Sequence, residues 1–154
     1  IVSCTMASSC SIAVLNGPNL NMLGMREPAI YGHETLADIE AECRRLANEK
    51  RLEIDWYHSN LEGELITKIQ SLAGSVDWIV INAAGLTHTS VALRDALSLF
   101  PGSVIEVHLS NIHARETFRH TSLISAIARG VIAGFGATSY YMAIDAISHL
   151  HLET

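Results

Sequence analysis

The sequence predicts an α/β fold: a five-stranded parallel sheet in the flavodoxin-like order 2-1-3-4-5, with helices on both faces. Three observations predict it. Five short runs are apolar at successive positions, as strands buried on both faces are. Segments of helical period separate these runs, the alternation of a parallel sheet. The chain has 154 residues, which suits one domain and one core, and five strands with four crossovers fit that doubly wound order.

The first strand is read at 11–15 (SIAVL), ended by Asn16, Gly17, Pro18 and Asn19. A polar, Gly-containing loop then runs to His33. Thr35 to Lys50 has helical period, with Leu36, Ile39, Cys43 and Leu46 on one face, and Thr35 with Asp38 has the pattern of a capping box. Leu52 to Tyr57 is the second strand. Ser59 with Glu62 is a further cap signal, before a helix from Glu62 to Ala73 striped by Leu65, Ile66, Ile69 and Leu72. Trp78 to Ile81 is the third strand, and a helix from Thr89 to Phe100 is stopped by Pro101 and Gly102. Ser103 to His108 and Gly130 to Ala133 are the fourth and fifth strands, and Ser139 to Leu150 is the last helix. Residues 1–10 read as a small-residue lead, 11–150 as a single domain and 151–154 as a short tail.

Composition narrows the function. The formal net charge is -6, which disfavours nucleic acid, since that partner needs clustered Lys and Arg. An anionic small molecule stays open, because a few local arginines can hold one. Cys4, Cys10 and Cys43 form no C-x-x-C pair, so neither a disulfide framework nor a zinc knuckle is indicated. The lead lacks a basic n-region and a long apolar stretch. No apolar run reaches the ~18 residues of a membrane span. A cytoplasmic protein is expected.

In a sheet of this order the ligand crevice lies beyond the carboxyl ends of the strands, near the switch point. Asn16, Asn19, Arg26 and Tyr31 follow strand one. Asn82, Thr87, His88 and Thr89 follow strand three. His108, Ser110, Asn111, His113, Arg115 and Arg119 end or follow strand four. Strand two is followed only by His58, Ser59 and Asn60, and strand five by Gly134 and Gly136. Polar and titratable residues thus gather after three adjacent strands. Each has a plain structural reading as well. Asn16 and Asn19 suit a turn, Asn82 a strand-end cap and His88 a helix start. His108 suits a core histidine, Tyr31 a loop anchor, and Arg115 with Arg119, spaced i, i+4, a solvated helical face. Their joint placement favours a site.

Several chemistries find no residues. There is no G-x-S-x-G, G-x-G-x-x-G or G-x-x-x-x-G-K-[ST] motif. His108 and His113 make no H-E-x-x-H pattern, so no metal is expected. The two lysines, Lys50 and Lys68, fall at the end of and within helices, so an imine mechanism lacks a candidate. Acid–base work by Tyr and His remains. Tyr, with an ordinary pKa near ~10, becomes a base at neutral pH only beside a cation, and Arg26 lies in the same loop as Tyr31. His108 can donate a proton if a carboxylate orients it. Glu106, on the same side of the strand by period two, is the candidate.

Four segments carry a resemblance: NGPNLNMLG over 16–24, REPAIYG over 26–32, NAAGLTHTSVALRD over 82–95 and EVHLSNIHARETFR over 106–119. In this order and spacing they resemble the type II 3-dehydroquinate dehydratases, from about Ile12 to about Leu150. The resemblance implies a flavodoxin-like fold, a dodecamer built from trimers, no cofactor, and conversion of 3-dehydroquinate to 3-dehydroshikimate by anti elimination through an enolate. Such a reaction serves the shikimate pathway of aromatic amino acid biosynthesis or quinate metabolism. Carried over by motif position, Tyr31 is the base that removes the proton alpha to the ketone. Arg26, on a lid running from Leu20 to Gly32, lowers the Tyr31 pKa. Asn19 holds the water that stabilises the enolate oxygen. His108 is the acid and Glu106 its orienter. Asn82, His88, Ser110 and Arg119 bind substrate, with the backbone N–H groups of Leu109 and Ser110 on its carboxylate. Asp95 reaches a neighbouring subunit's site, and Arg115 receives no substrate contact. Ala84-Gly85 and Met25 are minor departures. A flavin- or nucleotide-binding module on the same fold is the competing class, but it calls for a Ser/Thr/Gly-rich loop where Pro18, Leu20, Met22 and Leu23 stand. A catalytically silent homologue is the third reading, disfavoured by the presence of Tyr31, Arg26 and His108 together.

Overall fold

The computed structural model describes residues 9–25, 27–31 and 33–152, apart from the side chains of Ile30 and Tyr31. Its sheet is wholly parallel and is built from β1 (Ser11–Asn16), β2 (Glu53–His58), β3 (Trp78–Asn82), β4 (Ser103–His108) and β5 (Gly130–Ala133). The order is β2-β1-β3-β4-β5, as predicted. β4 and β5 have the predicted bounds. β1 and β3 each run one residue further than expected and β2 is shifted by one residue, so Asn16, His58 and Asn82 are the last residues of their strands.

Among the described residues, α1 (Pro28–Tyr31) is a short helix within the segment read as a loop, and four helices cover the sheet: α2 (Leu36–Glu49), α3 (Glu62–Leu72), α4 (Val91–Leu99) and α5 (Thr138–Leu152). The last of these continues two residues into the segment read as a tail. Period two along the strands divides the core. Ile12, Val14, Val80, Ile105 and Val107 pack beneath α2 and α5, against Ile39, Cys43, Tyr140, Ile144 and Ile147. Ala13, Leu15, Ile79, Ile81 and Val104 point the other way, against Leu65 and Ile69 of α3 and Leu93 and Leu97 of α4. Each such buried aliphatic side chain contributes roughly 1.5–3 kcal/mol, so the two apolar layers hold the sheet between the helix pairs.

Thr35 and Asp38 form the expected capping box: the Asp38 N–H donates to Thr35 Oγ1 at 3.1 Å and the Thr35 N–H to Asp38 Oδ2 at 3.0 Å. The second cap signal is corrected. Ser59 Oγ accepts from the Leu61 N–H and donates to Glu64, and Glu62 opens α3 without a side-chain cap. The cap of α4 is Ser90, whose hydroxyl accepts from the Leu93 N–H at 2.9 Å. Gly17 is required by proximity: a Cβ there would lie 2.5 Å from the Ala83 carbonyl oxygen. The loop after β1 is therefore pressed onto the loop after β3.

Candidate active site

Four strands end on polar residues at the carboxyl edge of the sheet, and one cleft collects the loops after three of them, β1, β3 and β4. It is lined by Asn19 and the Leu20–Met22 turn after β1, Asn82 and His88 after β3, and His108, Leu109, Ser110, Arg115 and Arg119 after β4. Its volume is about 790 Å³ including the open mouth, room for a small molecule.

Period two along β4 puts Glu106 and His108 on one face. Glu106 is 0% exposed. Its Oε2 lies 2.5 Å from His108 Nε2, and its Oε1 accepts from the hydroxyls of Ser122 at 3.0 Å and Ser125 at 2.7 Å. Burial pushes the Glu106 pKa up, but the hydrogen bond and charge of His108, helped by the Ser125 and Ser122 hydroxyls, outweigh it and leave the carboxyl below its ordinary value. Glu106 is thus an anion that accepts, and His108 Nε2 carries the proton between them. The nitrogen left to exchange a proton with a ligand is Nδ1. His88 stacks beside it, with ring centroids 6.5 Å apart. Its Nδ1 is 2.9 Å from the Thr121 carbonyl oxygen. A carbonyl only accepts, so Nδ1 carries the proton there and Nε2 of neutral His88 is an acceptor.

Arg115 and Arg119 supply positive charge. Their reading as a solvated helical face is corrected: the side chains are only 13% and 19% exposed, and the segment folds as two separate 3-10 turns, Ile112–Ala114 and Thr117–Arg119. Both guanidiniums share Glu116, at 3.7 Å from Arg115 and 2.8 Å from Arg119. Arg115, to which no substrate contact was assigned, lines the cleft beside Ser110, with Nη1 3.5 Å from the Ser110 hydroxyl.

Asn82, Asn19, His88, His108, Leu109, Ser110 and Arg119 are thus brought together as expected, with Glu106 directly behind His108. Asp95 lies outside the cleft of its own chain, on the exposed face of α4. Arg26 lies outside the described residues. Tyr31 ends α1, and its side chain is likewise outside them. Leu20 and Leu23, at the start of the segment read as a lid, are buried in the core beneath α2 and α5. Thr87 is fully buried, and His113 is exposed and turned to His120, so neither belongs to the cleft.

Four contributors were missed. Asn60, after the strand read as uninvolved, accepts the Asn19 N–H at 2.8 Å and so holds Asn19 in its left-handed conformation at φ 71°. Ser122 and Ser125 satisfy Glu106. Tyr140 reaches Asn16 and Asn82 from α5, with its hydroxyl 2.8 and 2.9 Å from their side chains. A signal for Tyr140 existed: it lies on the buried stripe of α5 with Ile144 and Ile147, and a buried phenol needs a partner.

A buried histidine–carboxylate pair beside arginines and amides, at the switch end of a doubly wound sheet, defines an acid–base site for a small anion. The comparisons agree with that class. The family model "Dehydroquinase class II" matches residues 10–148. The chain is 55% identical over 140 residues to the 3-dehydroquinate dehydratase of Dinoroseobacter shibae, covering 90% of this chain and 93% of that one. It is 53% identical over 140 residues to the 3-dehydroquinate dehydratase of a Synechococcus strain, covering 90% and 95%. The crystal structure of the type II dehydroquinase from Butyrivibrio crossotus superposes with a TM-score of 0.89 at 43% identity, covering 92% of this chain and 99% of that one. The chain belongs to the class II dehydroquinase family.

Proposed function

We propose that this chain is a hydro-lyase that converts 3-dehydroquinate to 3-dehydroshikimate by anti elimination through an enolate. The carrying observation is the His108–Glu106 pair set behind a cleft lined by Arg115 and Arg119, in a chain of this family. Tyr31, as phenolate beside Arg26, takes the proton alpha to the ketone. The electron pair moves onto the ketone oxygen, and a water held by Asn19 stabilises this enolate. The enolate then collapses. The departing hydroxyl takes the proton from His108 Nδ1 and leaves as water, and the ketone re-forms conjugated to the new double bond. Glu106 stabilises the imidazolium before the transfer and orients the ring throughout. Exchange with solvent returns the proton from Tyr31 to His108. Arg119, Ser110, Asn82 and His88 hold the carboxylate and hydroxyls of the substrate, and Arg115 adds positive charge beside them. The direct test is the ultraviolet absorbance of the conjugated enone formed from 3-dehydroquinate. No absorbance change with folded protein overturns the reading.

The lysines support an enolate route over an imine. The Lys50 ammonium pairs with Asp145 at 3.0 Å, and that of Lys68 pairs with Asp55 at 2.8 Å. Neither lines the cleft. Borohydride with substrate is expected to add no mass to the protein, and Lys50→Ala with Lys68→Ala together to keep most of the activity. A lysine adduct with loss of turnover would refute the enolate route.

The reading extends to assembly as a homo-oligomer, a dodecamer of trimers, in the cytoplasm. Val91, Asp95 and Leu99 form one outer stripe of α4, with Val91 59% and Leu99 79% exposed, and an apolar stripe around a charge suits a subunit contact through which Asp95 meets a neighbouring site. No helix among the described residues is long and apolar enough to cross a membrane. Light scattering is expected to give a large closed oligomer, and a monomer at micromolar concentration would remove the cross-subunit role of Asp95. The same chemistry serves aromatic amino acid biosynthesis or quinate metabolism.

A further inference from the structure

Asn16 and Asn82 are register partners on β1 and β3. Period two turns both toward α5, and Tyr140 stands between them with no exposed surface. Asn16 Nδ2 donates to the Tyr57 carbonyl oxygen at 3.0 Å. That carbonyl can only accept, so Asn16 must present Oδ1 to the other side. There it accepts the Tyr140 hydroxyl proton at 2.8 Å. Having given its proton, the hydroxyl oxygen accepts from Asn82 Nδ2 at 2.9 Å. Asn82 Oδ1 in turn accepts the Ala84 N–H at 3.1 Å, from a residue held at φ 52°. The chain of bonds is closed by an acceptor-only carbonyl at one end and a donor-only amide at the other. Every group between them has one allowed orientation.

We propose that Tyr140 is a positioning residue that locks the Asn82 amide so that its second N–H, and not its carbonyl, is the group offered to the cleft. The site then selects a ligand oxygen that accepts, such as a carboxylate, a ketone or a hydroxyl lone pair. Burial raises the Tyr140 pKa, so the phenol keeps its proton and the direction of the bonds does not reverse at physiological pH. This inference rests on the assignment of Asn82 to substrate binding.

The test is steady-state kinetics on the full-length protein with 3-dehydroquinate. Tyr140→Phe keeps the ring and removes the bridge. It is expected to raise KM about three- to tenfold with kcat nearly unchanged, the mark of lost uniform binding. Ile147→Val, a neighbouring core change, separates positioning from general loosening: at a similar loss of thermal stability it is expected to leave KM unchanged. Asn82→Asp places an oxygen where the N–H stood and is expected to raise KM at least as much as Asn82→Ala. It also serves as the test if Tyr140→Phe does not fold. An unchanged KM in Tyr140→Phe, or an equal KM rise in Ile147→Val, overturns the role of Tyr140 while leaving Asn82 as a ligand. An unchanged KM in both Asn82 variants overturns the assignment of Asn82 and the inference with it.

Discussion

Replacement of Tyr31 by Phe is expected to lower kcat by roughly 10³-fold or more with little change in KM. Tyr31 follows β1 and can act as a base beside a cation, since Arg26 lies five positions earlier in the same loop. The phenolate acts on the proton only in the transition state, so its loss falls on kcat rather than on binding. Stopped-flow or steady-state assays of product absorbance measure the effect. Turnover near that of the parent chain would move the base elsewhere and leave the roles of Arg26 and the lid without support.

The second large effect is expected at Glu106. Glu106→Gln keeps the volume of a wholly buried side chain and removes its charge. Gln can still accept from the Ser122 and Ser125 hydroxyls with its oxygen, but its amide then faces His108 Nε2. Two donors cannot face one another, so His108 must move its proton to Nδ1 and meet the amide as an acceptor. The imidazolium is lost, and the ring becomes a far weaker acid. A fall in kcat of about 10²- to 10⁴-fold is expected, with the limb of the pH–rate profile that belongs to the pair abolished. The same variant tests a stability effect. The folded-state pKa of Glu106 lies below the ordinary value of 4.5. Its contribution to stability is therefore fully present above that ordinary value and is lost as pH falls through the lower folded value. The Gln variant should lack this acid-dependent loss in denaturant titrations, and identical acid profiles for the two chains would show that the carboxylate is not held as described. Parental kcat in the variant would remove Glu106 as orienter.

Residues legible as site members in the sequence were those whose position depends on local rules. Glu106 and His108 share a face because strands have period two. The strand ends carry the polar groups because a carboxyl edge is where apolar runs stop. Groups joined through register were not legible. Asn16 with Gly17 and Pro18 reads as a turn, and only the pairing of β1 with β3 sets it opposite Asn82. Tyr140 reads as one more core residue of α5, and its hydroxyl has a role only because α5 crosses that register pair. Asn60 was set aside because the loop after β2 carries few polar residues, yet β2 pairs with β1 and brings it to Asn19.

By itself the amino-acid sequence determined the five parallel strands, the four helices that cover them and the four motifs that carry the family resemblance. These follow from hydrophobic period, caps and the spacing of chemically able side chains, which are properties of the chain read locally. Tertiary structure alone decided which nitrogen of His108 is free, which hydroxyls satisfy Glu106, how near Arg115 stands to the cleft, and which way the Asn82 amide points. Each depends on hydrogen bonds between residues from 16 to 124 positions apart, save the His108–Glu106 contact that period two foretold and the short bonds from Arg115 to Ser110 and from the Ala84 N–H to Asn82. A buried donor or acceptor takes whichever partner the packed fold presents, and no local rule of sequence names that partner.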